Sequence, residues 1–324
     1  MDSTATAVVF EKPGVMALRT VGLVEPAEGE CVVDVLWSGI STGTERLLWN
    51  GRMPAFPGLA YPLVPGYESV GRVVQAEPAA ERRVGDLVFV PGSPGYTDVR
   101  GLFGAAAERL VVDAQRLVPI DERLGERGVL LALAATAYHA ATRLSRDGAR
   151  TPPELLPELI VGHGVLGRLL ARVVIALGGE PPEVWERNPQ RHAGAEGYRV
   201  RVPEDDTRRD YRVVADVSGD AGLVDALIER LRPAGRLILG GFYHAPIQFS
   251  FPPAFQRELG LAVAAEWQRS DLQACLELVR EGRLSLDGLI THQHSARAAA
   301  RAYRTAFDDP DCLKMILDWR SVPQ

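Results

Sequence analysis

Cysteine is scarce. Cys31, Cys275 and Cys312 lie far apart in 324 residues, so no closely spaced pair exists to hold a metal or run thiol–disulfide exchange. Isolated thiols suit a reducing compartment, and the expected location is the cytoplasm. No long run of one charge occurs either. Thirty-six basic residues against 42 acidic ones leave a net charge of −6, which excludes the basic face that a nucleic-acid surface needs. The opening MDSTATAVVFEKPG lacks the basic head and apolar run of a secretory signal. The most apolar stretch, 129–141, is too short to span a bilayer and carries Tyr138 and His139. Internal repeats and low-complexity tracts are missing as well. What remains, with 46% hydrophobic and 24% charged residues, is a soluble globular composition, too long for one ordinary core. Two domains are expected.

The texture along the chain divides accordingly. Residues 1–120 read as short strands (TATAVVFE, CVVDVLW, ESVGRVV, DLVFV, AERLVV) with dense Gly and Pro between them, as in an irregular β-barrel or sandwich. From Gly125, GERGVLLALAATAYHAATRLS reads as one long helix. LPELIVG, PEVWE, DYRVVADVSG, GRLILGG and LAVAAEW then read as strands, with helical HGVLGRLLARVVIALGG and GLVDALIERL among them. Alternating apolar strands and helices imply a parallel sheet covered on both faces. Two helical stretches and a last strand, CLKMILDW, close the chain. The fold class is α/β, with a β-rich domain over 1–124 and 266–324 and a doubly wound domain over 125–265.

Between the strand ELIVG and its helix stand Gly162-x-Gly164-x-x-Gly167. The first glycine permits a tight turn, the second lets the backbone approach a pyrophosphate, and the third lets helix and strand pack closely. With Val165 and Leu166 this loop opens a helix whose free N–H groups attract phosphate. Glu186 ends the next strand, PEVWE, where an acid accepts hydrogen bonds from the adenosine ribose and repels a 2′-phosphate. The expected cofactor is NAD; Arg187, immediately after, weighs against that choice. His163, inside the motif, is expected to contact the cofactor. His139 reads as a packing or surface residue of its helix. His292 and His294, in a loop, lack a third ligand and make a poor metal site.

At LVPGYESVGRVV a phenol and a carboxylate, Tyr67 and Glu68, sit side by side at a turn. Either they are a strand tyrosine and a solvated acid, or they mark a chemical site at a strand mouth. The loop 47–62 carries Trp49, Met53, Phe56 and Tyr61 among glycines and prolines. These are core residues of a small barrel or the face of a site for a flat aromatic ligand.

The whole chain resembles the medium-chain dehydrogenases/reductases, with a GroES-like β-rich catalytic domain and a Rossmann domain. Members that oxidise alcohols usually bind zinc through a Cys in GxC, a His in GHE and a third Cys ahead of the Rossmann strand. Here the three positions read Ser41 in GIS, Tyr67 in GYE and Ala132 in ALAAT, and the four-cysteine lobe is missing too. Serine, tyrosine and alanine do not assemble a tetrahedral N/S site, so no metal is expected. SGISTGTERLLWNGRMPAFPG, YPLVPGYESVGRVV, VRGLFGAAAERLV, LLALAATAYHAA, ELIVGHGVLGRLLARV and AYRTAFDDPDCLKMILDW look like one family in particular. It is the family of 3-hydroxyethyl bacteriochlorophyllide a dehydrogenases of bacteriochlorophyll biosynthesis.

That resemblance implies NAD-dependent oxidation of a ring-A 1-hydroxyethyl group to acetyl. It places Tyr67 and Glu68 where a zinc ligand and its neighbour would face the nicotinamide. Tyr67 either holds the alcohol oxygen, with Ser41, Thr42 or Glu68 passing the proton on, or fills the volume vacated by zinc. Glu68 at such a turn is more often a structural hydrogen-bond acceptor. Thr136, Gly219, Gly241 and Phe242 join the cofactor set. Arg46 and Arg52 are candidates for the substrate propionate, beside the loop aromatics, Tyr243 and His244, the last also a candidate ligand for the substrate's magnesium. A homodimer is the superfamily's habit. Two other readings share the glycine motif: a zinc-free quinone or enoyl reductase, against which Glu186 argues, and a non-catalytic dinucleotide-binding protein.

Overall fold

The computed structural model describes residues 4–145 and 151–322. The chain divides into two compact units, Met1–Ala132 with Leu289–Gln324, and Leu133–Gly288.

In the first unit, one four-stranded sheet runs Val15–Gly22, Thr4–Lys12, Leu63–Val64, Arg100–Gly101. Val15–Gly22 is a strand that the sequence reading did not name. A larger sheet runs His292–Ser295, Met315–Asp318, Glu30–Ile40, Ser69–Ala76, Leu87–Val90, Val118–Pro119, and Arg109–Asp113 also pairs with Glu30–Ile40. His292 and His294 therefore lie in a strand and not in a loop, because the register His292↔Met315, His294↔Leu317 extends the sheet by one edge. Register across Glu30–Ile40 and Arg109–Asp113 is held by a two-pronged ion pair: Arg109 Nε and its terminal nitrogen donate to the two Asp34 oxygens at 2.6 and 3.1 Å. Helix Ala299–Asp308 buries Ala299, Ala302, Tyr303, Ala306 and Phe307, one stripe at helical spacing. Phe10 meets Trp49 and Tyr303 edge-on at 5.7 and 5.5 Å, which seats the tyrosine within the core.

The expected long helix from Gly125 begins later, at Leu131. Gly125 has φ +49°, outside helical geometry, and tight 3₁₀ turns occupy the stretch up to Leu130.

In chain order, the second unit's strands are Leu159–Val161, Glu183–Trp185, Arg199–Arg201, Tyr211–Asp216, Leu231–Leu239 and Gly260–Val263. Across the sheet they run third, second, first, fourth, fifth, sixth, and every pairing is parallel. This is the doubly wound order whose reversal, beside the first strand, lies above the glycine loop. Helix Arg269–Arg280 belongs to this unit and not to the returning segment. Its Asp271 pairs with His139 Nδ1 at 3.0 Å, and Cys275 Sγ lies 3.2 Å from the Ala134 carbonyl. Its buried face is Asp271, Leu272, Cys275 and Leu278, and the sequence alone does not say which helix that face meets.

The three glycines take three different roles. Gly162 has φ +104°, so the chain can leave the strand sharply. A Cβ on Gly164 would meet nothing within 4 Å, whereas one on Gly167 would lie 1.8 Å from the Gly162 carbonyl oxygen. Gly164 faces open space and Gly167 a wall. Gly167→Ala should therefore lower stability by about 1–3 kcal/mol, the usual range for overpacking, while Gly164→Ala leaves the melting temperature nearly unchanged. Thermal melts of the two variants beside the parent check the contrast.

Candidate active site

Functional side chains collect in two places, one in each unit. In the first unit the corner forms where strand Glu30–Ile40 ends, the short helix Thr44–Trp49 starts, and Gly66-Tyr67-Glu68 enters strand Ser69–Ala76. Tyr67 is half-buried, and its hydroxyl lies 2.5 Å from Ser41 Oγ and 3.3 Å from Thr44 Oγ1. Thr44, and not Thr42, is the second hydroxyl on the phenol, because the turn into the helix carries position 44 back over Ser41. Phe103 meets the Tyr67 ring edge-on at 5.2 Å. Burial, and then the nearby Glu68 carboxylate, push the Tyr67 hydroxyl above its ordinary range. At neutral pH it is a phenol that can give one proton while taking another, and it is not a phenolate base.

Glu68 is not a solvated acid but a buried hydrogen-bond acceptor. It is fully buried, and Lys314 Nζ donates to Glu68 Oε2 at 2.6 Å and to the Ile40 carbonyl at 3.2 Å. The Gly39 N–H donates to the Glu68 carbonyl at 2.7 Å, and a Cβ on Gly39 would stand 2.3 Å from Glu68 Oε2. Glu68 thus holds the corner together from beneath, behind the hydroxyls of Ser41, Thr44 and Tyr67. The sequence reading missed three residues here: Thr44, Lys314 and Glu45. Glu45 Oε1 accepts the Ser41 N–H at 3.0 Å and Oε2 accepts from the Tyr303 hydroxyl at 2.6 Å. Glu45 stands in the first turn of helix Thr44–Trp49 and reaches back past the N-cap Gly43 to the Ser41 N–H. Lys314 had a signal, since Lys12 and Lys314 are the lysines of a chain that otherwise uses arginine.

Zinc does not fit this corner. Ser41 and Tyr67 satisfy one another, Ala132 offers a buried methyl, and among the described residues no three His, Cys, Asp or Glu side chains converge as a metal set.

The loop aromatics separate. Met53 is buried, Trp49 packs on the core, and the Tyr61 hydroxyl donates to the Leu48 carbonyl, so these three serve the core and are not an open face for a flat ligand. Phe56 and Arg52 are exposed. Arg46 is exposed but engaged, donating to the Phe307 carbonyl with Asp308 at 3.6 Å.

In the second unit, Glu186 follows its strand beside the glycine loop. One carboxylate oxygen accepts the His163 N–H at 3.2 Å and the other the Asn188 N–H at 2.8 Å. His163 does not aim its ring at a cofactor. It is fully buried; Nδ1 lies 2.6 Å from the Arg191 carbonyl, so it donates there, and Nε2 accepts from the Tyr198 hydroxyl at 2.8 Å. Burial holds this imidazole down at about 4, so it is a neutral strut that pins the glycine loop. Arg187 points to solvent, and Val165 is buried under the loop with Leu166 half-exposed. Gly219 and Gly241 lie backbone to backbone, a Gly241 Cβ meeting the Gly219 nitrogen at 2.7 Å. The Tyr243 hydroxyl donates to Asp216 Oδ2 at 2.8 Å, which ties it to the sheet end. Phe242 and His244 are exposed, and Thr136 is half-buried on its helix. First-turn N–H groups of helix Val165–Ala176 lack intrahelical acceptors and face the open side of Gly164. A dinucleotide phosphate fits this cradle.

A model of the alcohol dehydrogenase GroES-like domain matches residues 27–122. Across its length the chain is 55% identical to the 2-desacetyl-2-hydroxyethyl bacteriochlorophyllide A dehydrogenase of Rhodobacter capsulatus, covering 97% of this chain and 98% of that one. The enzyme of that name from Cereibacter sphaeroides is 55% identical, covering 98% and 99%. The chain belongs to this dehydrogenase family. Its fold is shared with solved structures. One is a short chain alcohol dehydrogenase of Escherichia coli complexed with NADH, at TM-score 0.81 and 20% identity, covering 98% and 100% of the two chains. Another is the 2R,3R-butanediol dehydrogenase of Bacillus subtilis, at TM-score 0.82 and 19% identity, covering 98% and 99%. A dehydrogenase of Sinorhizobium meliloti bound to NADP has TM-score 0.79 at 19% identity, covering 98% and 99%. Among the described residues no helix is long and apolar enough to cross a membrane.

The buried pair yields a direct test. Lys314→Met strands an unpaired Glu68 carboxylate and should destabilise the protein by about 3–5 kcal/mol. Adding Glu68→Gln removes that stranded charge and should restore much of the loss, read from denaturant melts of both variants.

Proposed function

We propose that the protein oxidises the 1-hydroxyethyl side chain of a bacteriochlorophyllide, or of the chlorin analogue, to acetyl, with hydride passing to NAD. The identity of 55% to two dehydrogenases named for that substrate, over nearly the full length, carries the reading. NAD, held by the glycine loop and Glu186, would supply the hydride acceptor for the carbinol carbon. Tyr67 receives the carbinol hydroxyl and, as a neutral phenol, passes a proton to Ser41 Oγ as it takes one, and Ser41 gives up its own proton, which leaves to solvent. Thr44 steadies the phenol. A zinc ion elsewhere polarises such an alcohol; here the carbinol carbon is bonded to a conjugated macrocycle, which spreads the positive charge that develops as hydride leaves.

NAD is favoured over NADP because Glu186, fixed by two backbone N–H groups, retains lone pairs for ribose hydroxyls and repels a 2′-phosphate. We infer a homodimer, since the sheet ends on Gly260–Val263 with Leu261 and Val263 exposed at 45% and 59%. A cytoplasmic site of action fits the three buried free thiols.

Incubating the protein with NAD and a hydroxyethyl bacteriochlorophyllide, and following the absorbance shift that accompanies acetyl formation, tests the activity. Tyr67→Phe keeps ring and packing, and turnover should drop about 10²- to 10⁴-fold, the range for a lost acid–base group, with NAD affinity unchanged. Turnover within a few-fold of the parent would remove Tyr67 from the mechanism.

Cofactor choice is checked by kcat/KM with each dinucleotide. The parent should prefer NAD, and Glu186→Ala should lower NAD efficiency about 10- to 100-fold, the worth of a charged hydrogen bond, while narrowing the gap to NADP.

A further inference from the structure

We propose that Glu45 is a positioning residue for the oxidation, its buried charge setting the electrostatic field on the Ser41–Tyr67 hydroxyl pair. The inference rests on the assignment of Tyr67 to the carbinol. Glu45 has no exposed surface, and its two oxygens are taken by the Ser41 N–H and the Tyr303 hydroxyl. Ser41 therefore joins Glu45 through its backbone to Tyr67 through its side chain, 2.5 Å from the phenol oxygen.

The charged and titratable groups around Glu45 come from four elements. Tyr303 faces it from helix Ala299–Asp308, Glu68 and Tyr67 from the entry to strand Ser69–Ala76, and Lys314 from the residue before strand Met315–Asp318. On its own helix, Arg46 turns away to the Phe307 carbonyl and Asp308. Glu68 and Lys314 neutralise one another at 2.6 Å, so ionisation of Glu45 leaves the corner with one net negative charge. Burial pushes the Glu45 carboxyl up to about 7; the bonds from Tyr303 and Ser41, and Lys314, oppose this, and Glu68 adds to it.

Both protonation states keep their hydrogen bonds. Ionised, Glu45 accepts from Ser41 and Tyr303. Protonated, it still accepts the Ser41 N–H while its own O–H donates to the Tyr303 oxygen. The switch is electrical and leaves the geometry in place. Carbinol oxidation gives ketone, reduced nicotinamide and one proton released to solvent, so Glu45 gains and loses nothing over the cycle. A negative charge behind Ser41 favours the positive charge that builds on the carbinol carbon as hydride departs, while it holds the proton on the neutral Tyr67 phenol. Oxidation should therefore rise with pH as Glu45 ionises.

Two measurements on the full-length protein test this. In the resting protein labelled with tyrosine carrying ¹³C at Cζ, the Tyr67 resonance (assigned by its loss in Tyr67→Phe) should titrate near pH 7. That step should vanish in Glu45→Gln. In Tyr303→Phe it should move to higher pH, because a bond to the ionised carboxylate is lost. In turnover, kcat/KM should fall about tenfold from pH 8 to pH 6, as for a single ionisation, and Glu45→Gln should be flat and low across that range. A Tyr67 resonance without the step, or an acid limb retained in Glu45→Gln, overturns the proposal. An intact resonance step in a protein that does not oxidise the tetrapyrrole would overturn the assigned reaction instead.

Discussion

One buried ion pair organises the first unit. Lys314 and Glu68 are separated by 246 positions in the chain and meet at 2.6 Å with almost no exposure on either side chain. The pairing Met315↔Ile40 carries the returning strand alongside Glu30–Ile40 and delivers the ammonium to the Ile40 carbonyl. Three segments distant in sequence are thereby fastened at one point: the strand that leads into Ser41, the turn that carries Tyr67, and the C-terminal return. Two charges out of water are tolerated only when they satisfy each other, so the unit cannot rearrange locally without exposing a severe imbalance. A lysine suits this place because its compact ammonium can serve a carboxylate and a carbonyl together.

Above that pair lies a polar surface with no strong base. Tyr67, Ser41 and Thr44 form a set of neutral hydroxyls, and the ionisable groups, Glu45 and Glu68, lie behind them. Where a metal would concentrate positive charge at the alcohol oxygen, this corner offers hydrogen bonds backed by buried carboxylates. The electrostatic sense is reversed, which suits a substrate whose own conjugated ring absorbs positive charge.

The dinucleotide unit relies on steric contrast. Gly164 leaves space and Gly167 removes it, so the backbone approaches a ligand on one side and its own strand on the other. His163 shows how a polar residue in a binding motif can serve the loop and not the ligand. Its ring spends both nitrogens on Arg191 and Tyr198, and the loop's shape is fixed before any cofactor arrives.

Much of this was legible from the residues alone. Alternating strand and helix after Leu156, the glycine spacing and the acid at Glu186 were enough for the doubly wound unit, because local turn chemistry and hydrophobic period act over a few residues. Ser41, Tyr67 and Glu68 marked the corner. Other features depended on partners far away in sequence. Trp49, Met53 and Tyr61 went to the core because Phe10 and Leu48 wait for them there. Glu68 became a buried anchor, and Glu45 the acid behind Ser41, because Lys314 and Tyr303 return to that corner from the chain's far end. Burial and pairing of charge are properties of the assembled fold; a sequence names the groups, and only long-range packing decides which of them lose water and which keep it.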